Sequence, residues 1–284
     1  MKLQNPEAEI FFPESGFSIE DLPATTHLAI GAHPDDIEIM AVHGIWECYS
    51  AQRRSFTAVT CCHGASCPRT GNYAHFSDEE MRAVRRQEQR RAASLGRYLA
   101  LFQLDYSGSQ LRSLAVNSLI KDLTEILRAS RPHIVYTHNP ADKHDTHVAV
   151  TLAALHALRN LPQNLRPEKI YGCEVWRSLD WLPDKDKVLL DVSGAAALAE
   201  TLLGVYQSQT SSGKRYDLAV LGRRRANATF YNFNEVDRSQ ELCFAMDLTP
   251  LVNTNDFNIA KYLKAYLDHF SAEILSLVST KDQK

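Results

Sequence analysis

A short apolar segment, residues 28–31, passes directly into the sequence Ala-His-Pro-Asp-Asp-Ile-Glu at residues 32–38. The apolar segment predicts a buried strand, and the apolar positions that follow it recur at helical spacing up to Cys48. A second candidate strand covers residues 55–60, so that residues 27–60 have the size of a right-handed βαβ unit. A chain with this beginning is expected to build a parallel sheet that is covered by helices.

The alternation of strand and helix patterns continues through the rest of the chain. Ser77 and Glu80 form a capping-box pattern, which predicts the start of a helix that ends at Gly96. Further strands are predicted at residues 100–104, 134–137, 169–176 and 187–192, and further helices at 116–129, from 148 onward, at 195–206 and at 257–277. We therefore predict a three-layer, Rossmann-like α/β fold, with a mostly parallel sheet and helices on both faces.

Domain organisation follows from the absence of a repeat, a low-complexity tract or a Gly/Ser linker. We expect a single domain over residues 1–284, with a core at about 26–160. A C-terminal section at 165–284 is expected to complete the sheet and the substrate pocket.

Charge and hydropathy exclude some classes of partner. The 284-residue chain is 44% apolar and has a formal net charge of -3, so an extended nucleic-acid interface is not expected. No segment reaches the roughly 18 to 20 consecutive apolar residues that a membrane span needs. The N-terminus lacks the pattern of a signal peptide, and a cytoplasmic location is expected. The oligomeric state stays open, a homo-oligomer included.

Polar side chains follow two of the predicted strands at the point where each strand ends. His33, Asp35 and Asp36 follow the first of them, and the strand at residues 134–137 leads into a loop that is followed by His147. Because ligands in open parallel sheets bind at the carboxyl ends of the strands, we expect these side chains to converge. Together they form a candidate site of two histidines and one carboxylate.

A hydrolytic zinc site needs three protein ligands and one open position, where the metal acidifies a water and polarises a carbonyl group. His33, Asp36 and His147 can supply the ligands, and Asp35 is then placed to take the proton. His144 precedes His147 by three residues and is a candidate electrophile or general acid. Its expected partners are Asp142 or Asp145, which could raise its pKa and fix its tautomer.

Three features together resemble the PIG-L/LmbE-like zinc-dependent N-deacetylases over about residues 27–150. They are the AHPDDIE loop, the Arg85-to-Glu88 pair followed by Leu95-Gly96, and the element from His144 to His147. The resemblance implies a small N-acetylated, sugar-like substrate, such as an N-acetylglucosaminyl conjugate, and one Zn²⁺ per chain. The residue roles that it implies are zinc ligation by His33, Asp36 and His147, general base catalysis by Asp35, stabilisation of the tetrahedral intermediate by His144, and substrate binding by Arg85.

One departure from the family pattern lies between the two late histidines. The family usually has Pro-Asp there, whereas this chain has Asp145-Thr146. The aspartate that usually stands next to the zinc histidine is therefore expected to be shifted or missing.

Several of these residues also have purely structural interpretations. The His-Pro-Asp-Asp turn could be a helix N-cap, and Glu38 could be a first-turn residue or a partner of the ligands. His138 could join the site or satisfy a backbone group of its loop. Arg85 could pair with Glu88 on its own helix. The segment at residues 223–225, three consecutive arginines, could be a solvated face or could bind an anionic substrate.

Two other functions remain open at the level of sequence. His33, Asp35 and His147 also match the facial triad of non-haem iron oxygenases, although those enzymes usually have double-sheet β folds. A non-catalytic protein that uses the cleft to bind a metal or a sugar is the second alternative. In the C-terminal third, the side chains that could shape a sugar pocket are Trp176, Trp181, Tyr206 and the region of Arg223.

Overall fold

The computed structural model describes residues 1–113, 116–211 and 213–282. Its strands are β1 (Glu9–Phe11), β2 (His27–Gly31), β3 (Phe56–Cys62), β4 (Ala100–Tyr106), β5 (Ile134–His138), β6 (Lys169–Cys173), β7 (Lys187–Asp191) and β8 (Leu242–Asp247). Its helices are α1 (Asp36–Met40), α2 (Val42–Tyr49), α3 (Asp78–Leu95), α4 (Gly108–Leu111), α5 (Val116–Ser130), α6 (Asp145–Arg159), α7 (Ala196–Leu203), α8 (Gln207–Thr210), α9 (Tyr216–Phe230), α10 (Thr249–Asn253) and α11 (Ile259–Asp282).

The strands form one mixed sheet in the order β1-β4-β3-β2-β5-β6-β8-β7. The five strands from β4 to β6 in this order are parallel, whereas β1 pairs antiparallel with β4, and β8 pairs antiparallel with both β6 and β7. The chain moves outward from β2 to β3 and β4, and then returns to β5 on the other side of β2. This reversal creates a crevice between the carboxyl ends of β2 and β5, which is where ligands bind in open α/β sheets.

Helices cover both faces of the sheet, which confirms the predicted fold class. On one face, Ile30 packs in a cluster with residues of α5 and α6, such as Leu123 and Val150. On the other face, Ala29 packs with residues of α1, α2 and α7, such as Ile45 and Leu202. Strands β2 and β3 are buried along their whole length, as expected for the centre of a parallel sheet.

The predicted capping box is present at the start of α3. The Ser77 side chain accepts the N–H of Glu80, and the Glu80 carboxylate accepts the N–H of Ser77 at 2.7 Å. The helix ends at Leu95, before Gly96, as predicted. This agreement matters for function because α3 carries Arg85 and Gln89 to the crevice.

Several elements differ from the sequence prediction. The first predicted helix is divided at Ala41, whose backbone leaves the helical region with φ -112° and ψ 18°. Strands β1 and β8 and helices α4, α8, α9 and α10 were not predicted. The β8 sequence, Leu-Cys-Phe-Ala-Met-Asp, is a short run of mostly apolar residues without a clear period, and such a run does not distinguish a strand from a buried helical segment.

Strands from both halves of the chain, such as β2 and β8, share the sheet. The assignment of residues 1–284 to a single domain stays a prediction. No helix in the described ranges combines the length and the apolar composition needed to cross a lipid bilayer.

Candidate metal centre

The two halves of the predicted site meet at the crevice between β2 and β5. His33, Asp35 and Asp36 lie in the turn between β2 and α1, and His147 lies in the first turn of α6. His33 Nδ1 is 3.1 Å from His147 Nε2, although 114 residues separate them in the chain. The expected convergence is therefore observed.

Three donor atoms form a nearly equilateral triangle. Asp36 Oδ2 lies 3.2 Å from His33 Nδ1 and 3.3 Å from His147 Nε2, and the two nitrogens are 3.1 Å apart. An ion bound tetrahedrally with metal–ligand bonds of about 2.0–2.1 Å holds its ligand atoms about 3.3 Å from one another. The donor set of two imidazoles and one carboxylate thus fits a divalent cation such as zinc.

His138 lies beside this triangle, and its Nε2 atom is already engaged. Nε2 accepts the N–H of Ala32 at 2.9 Å, and the His138 ring stacks on that of His147 with 3.9 Å between centroids. With Asp36 and His147, it forms a second group that could hold a metal ion. The hydrogen bond to Ala32 favours the structural interpretation of His138, because a nitrogen that accepts an N–H has no free lone pair for a metal.

The electrostatics of the triangle favour the form without a proton at Asp36 and His33, but not at His147. Burial alone would raise the pKa of Asp36, but the neighbouring imidazoles of His147 and His138 lower it below its usual range. Burial also lowers the pKa of His33. For His147, burial is outweighed by the carboxylates of Asp36 and Asp142, which raise its pKa. A divalent cation would replace a proton on His147, since metal ligands bind in their deprotonated forms.

Asp35 has a backbone conformation that is uncommon for a residue with a side chain. Its φ is 91° and its ψ is -30°. Its N–H donates to Gln89 Oε1 at 3.2 Å, and its Oδ2 lies 3.3 Å from Arg85 Nη2. Burial raises the pKa of Asp35 to about 8, against the opposing influence of the Arg85 guanidinium.

Arg85 is almost fully buried and joins two loops. It donates to Gly64 O at 3.1 Å and to Pro34 O at 2.5 Å, in addition to its ion pair with Asp35. Gly64 has a φ of +65°, and a Cβ atom there would come within 2.8 Å of Arg85 Nη1. The interpretation of Arg85 as a partner of Glu88 is not supported, because Glu88 accepts hydrogen bonds from Ser208 instead.

Asp142 supports the loop that leads into α6. It accepts the N–H of His144 at 3.0 Å and the N–H of Trp176 at 3.1 Å. Its Oδ2 is also 3.6 Å from His147 Nδ1. Asp142 therefore places a carboxylate beside the far nitrogen of His147, although the residue directly before His147 is Thr146 rather than the usual aspartate.

His144 caps the start of α6, and its ring stacks on that of His147 with 4.5 Å between centroids. Neither expected carboxylate binds the His144 ring: Asp142 binds its backbone, and Asp145 Oδ1 is 3.7 Å from Nδ1. The Asp145 side chain is 71% exposed and pairs with Arg112. Burial and the charge of His147 lower the pKa of His144, and they outweigh Asp145 and Asp142, which act to raise it as expected.

A cavity of about 680 Å³ opens beside these residues, and its lining includes His33, Asp35, His144, Trp176, Tyr216 and Arg223. Of the side chains proposed for a sugar pocket, Trp176 and Arg223 line it. Tyr206 does not, since it is buried and donates to Glu38 Oε2 at 2.7 Å. Trp181 is not among the described residues that line the cavity.

Glu38 is a fully buried carboxylate that connects three elements. It accepts hydrogen bonds from Gln89 Nε2 at 2.9 Å, from Tyr98 at 2.8 Å and from Tyr206 at 2.7 Å. Through Gln89, it is linked to the N–H of Asp35. Sequence reasoning missed Gln89, and its spacing of four residues from Arg85 on α3 is the signal that could have placed both on one face.

Comparisons with known proteins agree with this arrangement. The profile of the PIG-L family, described as GlcNAc-PI de-N-acetylase, matches residues 28–158. A protein of Escherichia coli K12, described as the uncharacterized deacetylase YaiS, is 32% identical over 143 residues, which span 49% of this chain and 70% of the relative.

Two solved structures show the same fold at low identity. N,N'-diacetylchitobiose deacetylase from Pyrococcus horikoshii has a TM-score of 0.61 at 20% identity, covering 86% of this chain and 92% of its own. The 4-carboxy-2-hydroxymuconate hydratase GalB from Pseudomonas putida KT2440 has a TM-score of 0.62 at 18% identity, covering 81% and 99%. These two likenesses concern the fold alone. On the sequence match, together with the convergence of its motifs, the chain belongs to the PIG-L family.

Proposed function

We propose that this chain is a zinc-dependent N-deacetylase that hydrolyses the acetamide of an amino sugar or a related small conjugate. One Zn²⁺ per chain would be held by His33, Asp36 and His147. The observation that carries the proposal is the triangle of donor atoms, 3.1 to 3.3 Å apart, beside a cavity large enough for a small substrate. The descriptions of YaiS and of the Pyrococcus enzyme as deacetylases support the same reaction.

The metal chemistry fits amide hydrolysis. When bound, zinc acidifies a water molecule and polarises the carbonyl oxygen of the substrate. Three protein ligands leave a fourth position open, as catalytic zinc sites require. The chain would contribute two imidazoles and a buried carboxylate for this purpose, and His147 would lose its proton when the metal binds.

Asp35 is the proposed general base. Its carboxylate lines the cavity, in the same turn as the proposed ligands His33 and Asp36. It would take a proton from the attacking water and deliver it to the leaving nitrogen. Arg85 and Gln89 hold Asp35 in place. Since the Arg85 guanidinium contacts Gly64, Pro34 and Asp35, its proposed role in substrate binding is exerted chiefly through the orientation of Asp35.

His144 is the proposed donor to the developing oxyanion. Its ring lies 4.9 Å from the ring of His33 and lines the cavity, so an N–H of the imidazole can reach a carbonyl oxygen in the crevice. Asp142 fixes the backbone of His144 and faces His147. Asp145 is left with a minor electrostatic role at the exposed start of α6.

The alternatives lose part of their support. The iron-oxygenase hypothesis used Asp35 as a ligand, but it is Asp36 that lies between the two histidines, while Asp35 pairs with Arg85. The hypothesis of a non-catalytic protein used the shifted aspartate, and Asp142 occupies the corresponding place beside His147.

The substrate is proposed to be a small molecule rather than a nucleic acid. Because His33 and Arg223 come from the two halves of the chain and line the same cavity, we also propose that residues 1–284 act as one domain. The cytoplasmic location and any homo-oligomer stay predictions.

The test is acetate release from a panel of N-acetylated amino sugars by purified, zinc-loaded protein, together with metal analysis. We expect about one zinc per chain, loss of zinc in His33→Ala, and loss of turnover with retained zinc in Asp35→Asn. If the zinc-loaded protein released no acetate from any member of the panel, the substrate part of the proposal would be abandoned. Stoichiometric iron with oxygen uptake would favour the oxygenase instead.

A further inference from the structure

The cavity extends well beyond the groups that an acetamide needs, and its far wall is built by a different part of the chain. Val175, Trp176, Lys214, Tyr216 and Arg223 line it. All five lie after residue 158, where the match to the family profile ends. This wall therefore lies outside the segment that the family model matches, and its chemistry bears on what this particular protein binds.

The charges that line the cavity are unevenly distributed. Among the described lining residues, the only carboxylates are Asp35 and Asp36, both at the metal centre. Outside that centre, the lining contains cations: Arg112, Lys143, Lys214 and Arg223. This excess contrasts with the net charge of -3 of the whole chain, so the cavity is a local positive region on a slightly acidic protein.

Three of these cations, Lys143, Lys214 and Arg223, are here called the cationic wall. None of them forms an ion pair with a carboxylate in the part of the chain that the structure describes. Arg112 differs, because its Nε is 3.2 Å from Asp145 Oδ2. The charge of Arg223 acts to lower the pKa of Glu174, but the two side chains form no ion pair. The carboxylate oxygens of Glu174 accept hydrogen bonds from N–H groups of Leu179, Asn227 and Phe244 instead.

The cationic wall lies close to the proposed catalytic residues. Lys143 precedes His144 in the chain, and the Trp176 ring lies 6.5 Å from the His144 ring. Lys214 Nζ is 5.6 Å from the centre of the Trp176 ring, and Arg223 donates to the carbonyl of Val175. A ligand whose amide is at the metal would thus bring its opposite end to an aromatic face flanked by positive charges.

We propose that the physiological substrate carries an anionic group, a carboxylate or a phosphate, on the part of the conjugate distant from the acetamide, and that the cationic wall binds it. This inference rests on the proposed deacetylase function and adds the chemical class of the substituent. Charge-assisted hydrogen bonds from Lys and Arg are the interactions that suit such a group.

The test compares three derivatives of N-acetylglucosamine as ligands: the neutral methyl glycoside, the carboxymethyl glycoside and the 1-phosphate. Dissociation constants are measured by calorimetry on zinc-loaded full-length protein that carries Asp35→Asn, so that turnover does not consume the ligand. We expect an anionic ligand to bind at least about tenfold more tightly than the methyl glycoside. The two anionic ligands distinguish phosphate from carboxylate.

The cationic wall is then removed by Lys214→Gln with Arg223→Gln, and the control is Arg225→Gln. Arg225 is on the same helix but 62% exposed, pairs with Glu241 and does not line the cavity. We expect the ratio of anionic to neutral affinity to fall about tenfold in the double variant and to stay unchanged in the control. If the double variant folds poorly, Lys143→Gln at an exposed position serves as the second variant. The ratio of anionic to neutral affinity of the wild-type protein should also fall as salt is added.

Any of three results overturns the inference. They are equal affinity for the charged and neutral ligands, an affinity ratio that the variants do not change, and no binding of either anionic ligand. Acetate release from the methyl glycoside by the wild-type protein is measured separately. That release concerns the proposed function, so failure of the one proposal is distinguishable from failure of the other.

Discussion

Gln89 offers a way to test whether the geometry of Asp35 matters for catalysis. Its side chain joins the N–H of Asp35, at 3.2 Å, to the buried carboxylate of Glu38, at 2.9 Å. In Gln89→Met, a side chain of similar size replaces the amide and both hydrogen bonds are lost. The Asp35 N–H is then left without its partner at a residue whose φ of 91° has to be maintained by its surroundings.

The size of the effect follows from the two hydrogen bonds. A buried group that loses its partner costs about 1–3 kcal/mol, and backbone strain of the kind seen at Asp35 amounts to about 1–3 kcal/mol. If the turn at Asp35 relaxes and releases this energy, the Asp35 carboxylate moves from its position and the activation barrier of the hydrolysis rises. Each increase of about 1.4 kcal/mol lowers the rate tenfold, so we expect kcat to fall about 10- to 100-fold.

The assay is steady-state acetate release with zinc content and thermal unfolding measured on the same samples. We expect kcat to fall, KM to change little and zinc to be retained, because Gln89 does not contact a proposed ligand. Gln87→Met is the matched control, since Gln87 lies on the same helix and is exposed. Unchanged kcat in a destabilised Gln89→Met protein would refute the reasoning, because Gln89 would then act on stability alone.

Three further predictions concern other parts of the structure. Asp142→Asn, which changes the carboxylate beside His147, should weaken zinc binding about 10- to 100-fold in competition with a chelator, and an unchanged affinity would contradict its role. Gly64→Ala should lower the free energy of unfolding by about 1–3 kcal/mol in urea titration, because the glycine has a φ of +65° and an added Cβ would meet Arg85; full stability would contradict this. Burial lowers the pKa of His27 from its usual 6.5 to about 4, so the unfolded chain binds the proton more readily between these values. Stability that is present above pH 6.5 should therefore be lost as the pH falls toward 4, by up to about 3 kcal/mol, and His27→Asn should reduce this loss; equal pH profiles of the two proteins would refute the assignment.

The sheet and the meeting of the two motifs were predictable from sequence for a physical reason. Apolar strand patterns and capping signals are local, and parallel strands place their carboxyl ends at one edge. His33 and His147 each follow such a strand, so their approach required no knowledge of side-chain packing. The helix start at Ser77 was predictable for the same reason, since its signal lies within four residues.

The partners of the site residues were not predictable in this way. Asp142 reaches His147 rather than the His144 ring because it lies before the helix begins, where the backbone no longer follows helical spacing. Gln89 and Tyr206 contact Glu38 through packing of α3 and the segment after α7 against α1. Such contacts depend on how helices are placed on the sheet, and no local pattern encodes that placement.

Anomalous X-ray diffraction at the zinc edge would locate the metal in crystals of the zinc-loaded protein. We expect one zinc ion per chain, bonded to His33 Nδ1, Asp36 Oδ2 and His147 Nε2 at about 2.0–2.2 Å, with a fourth position open to the cavity. An ion bound elsewhere, or a site in which His147 is not a ligand, would contradict it.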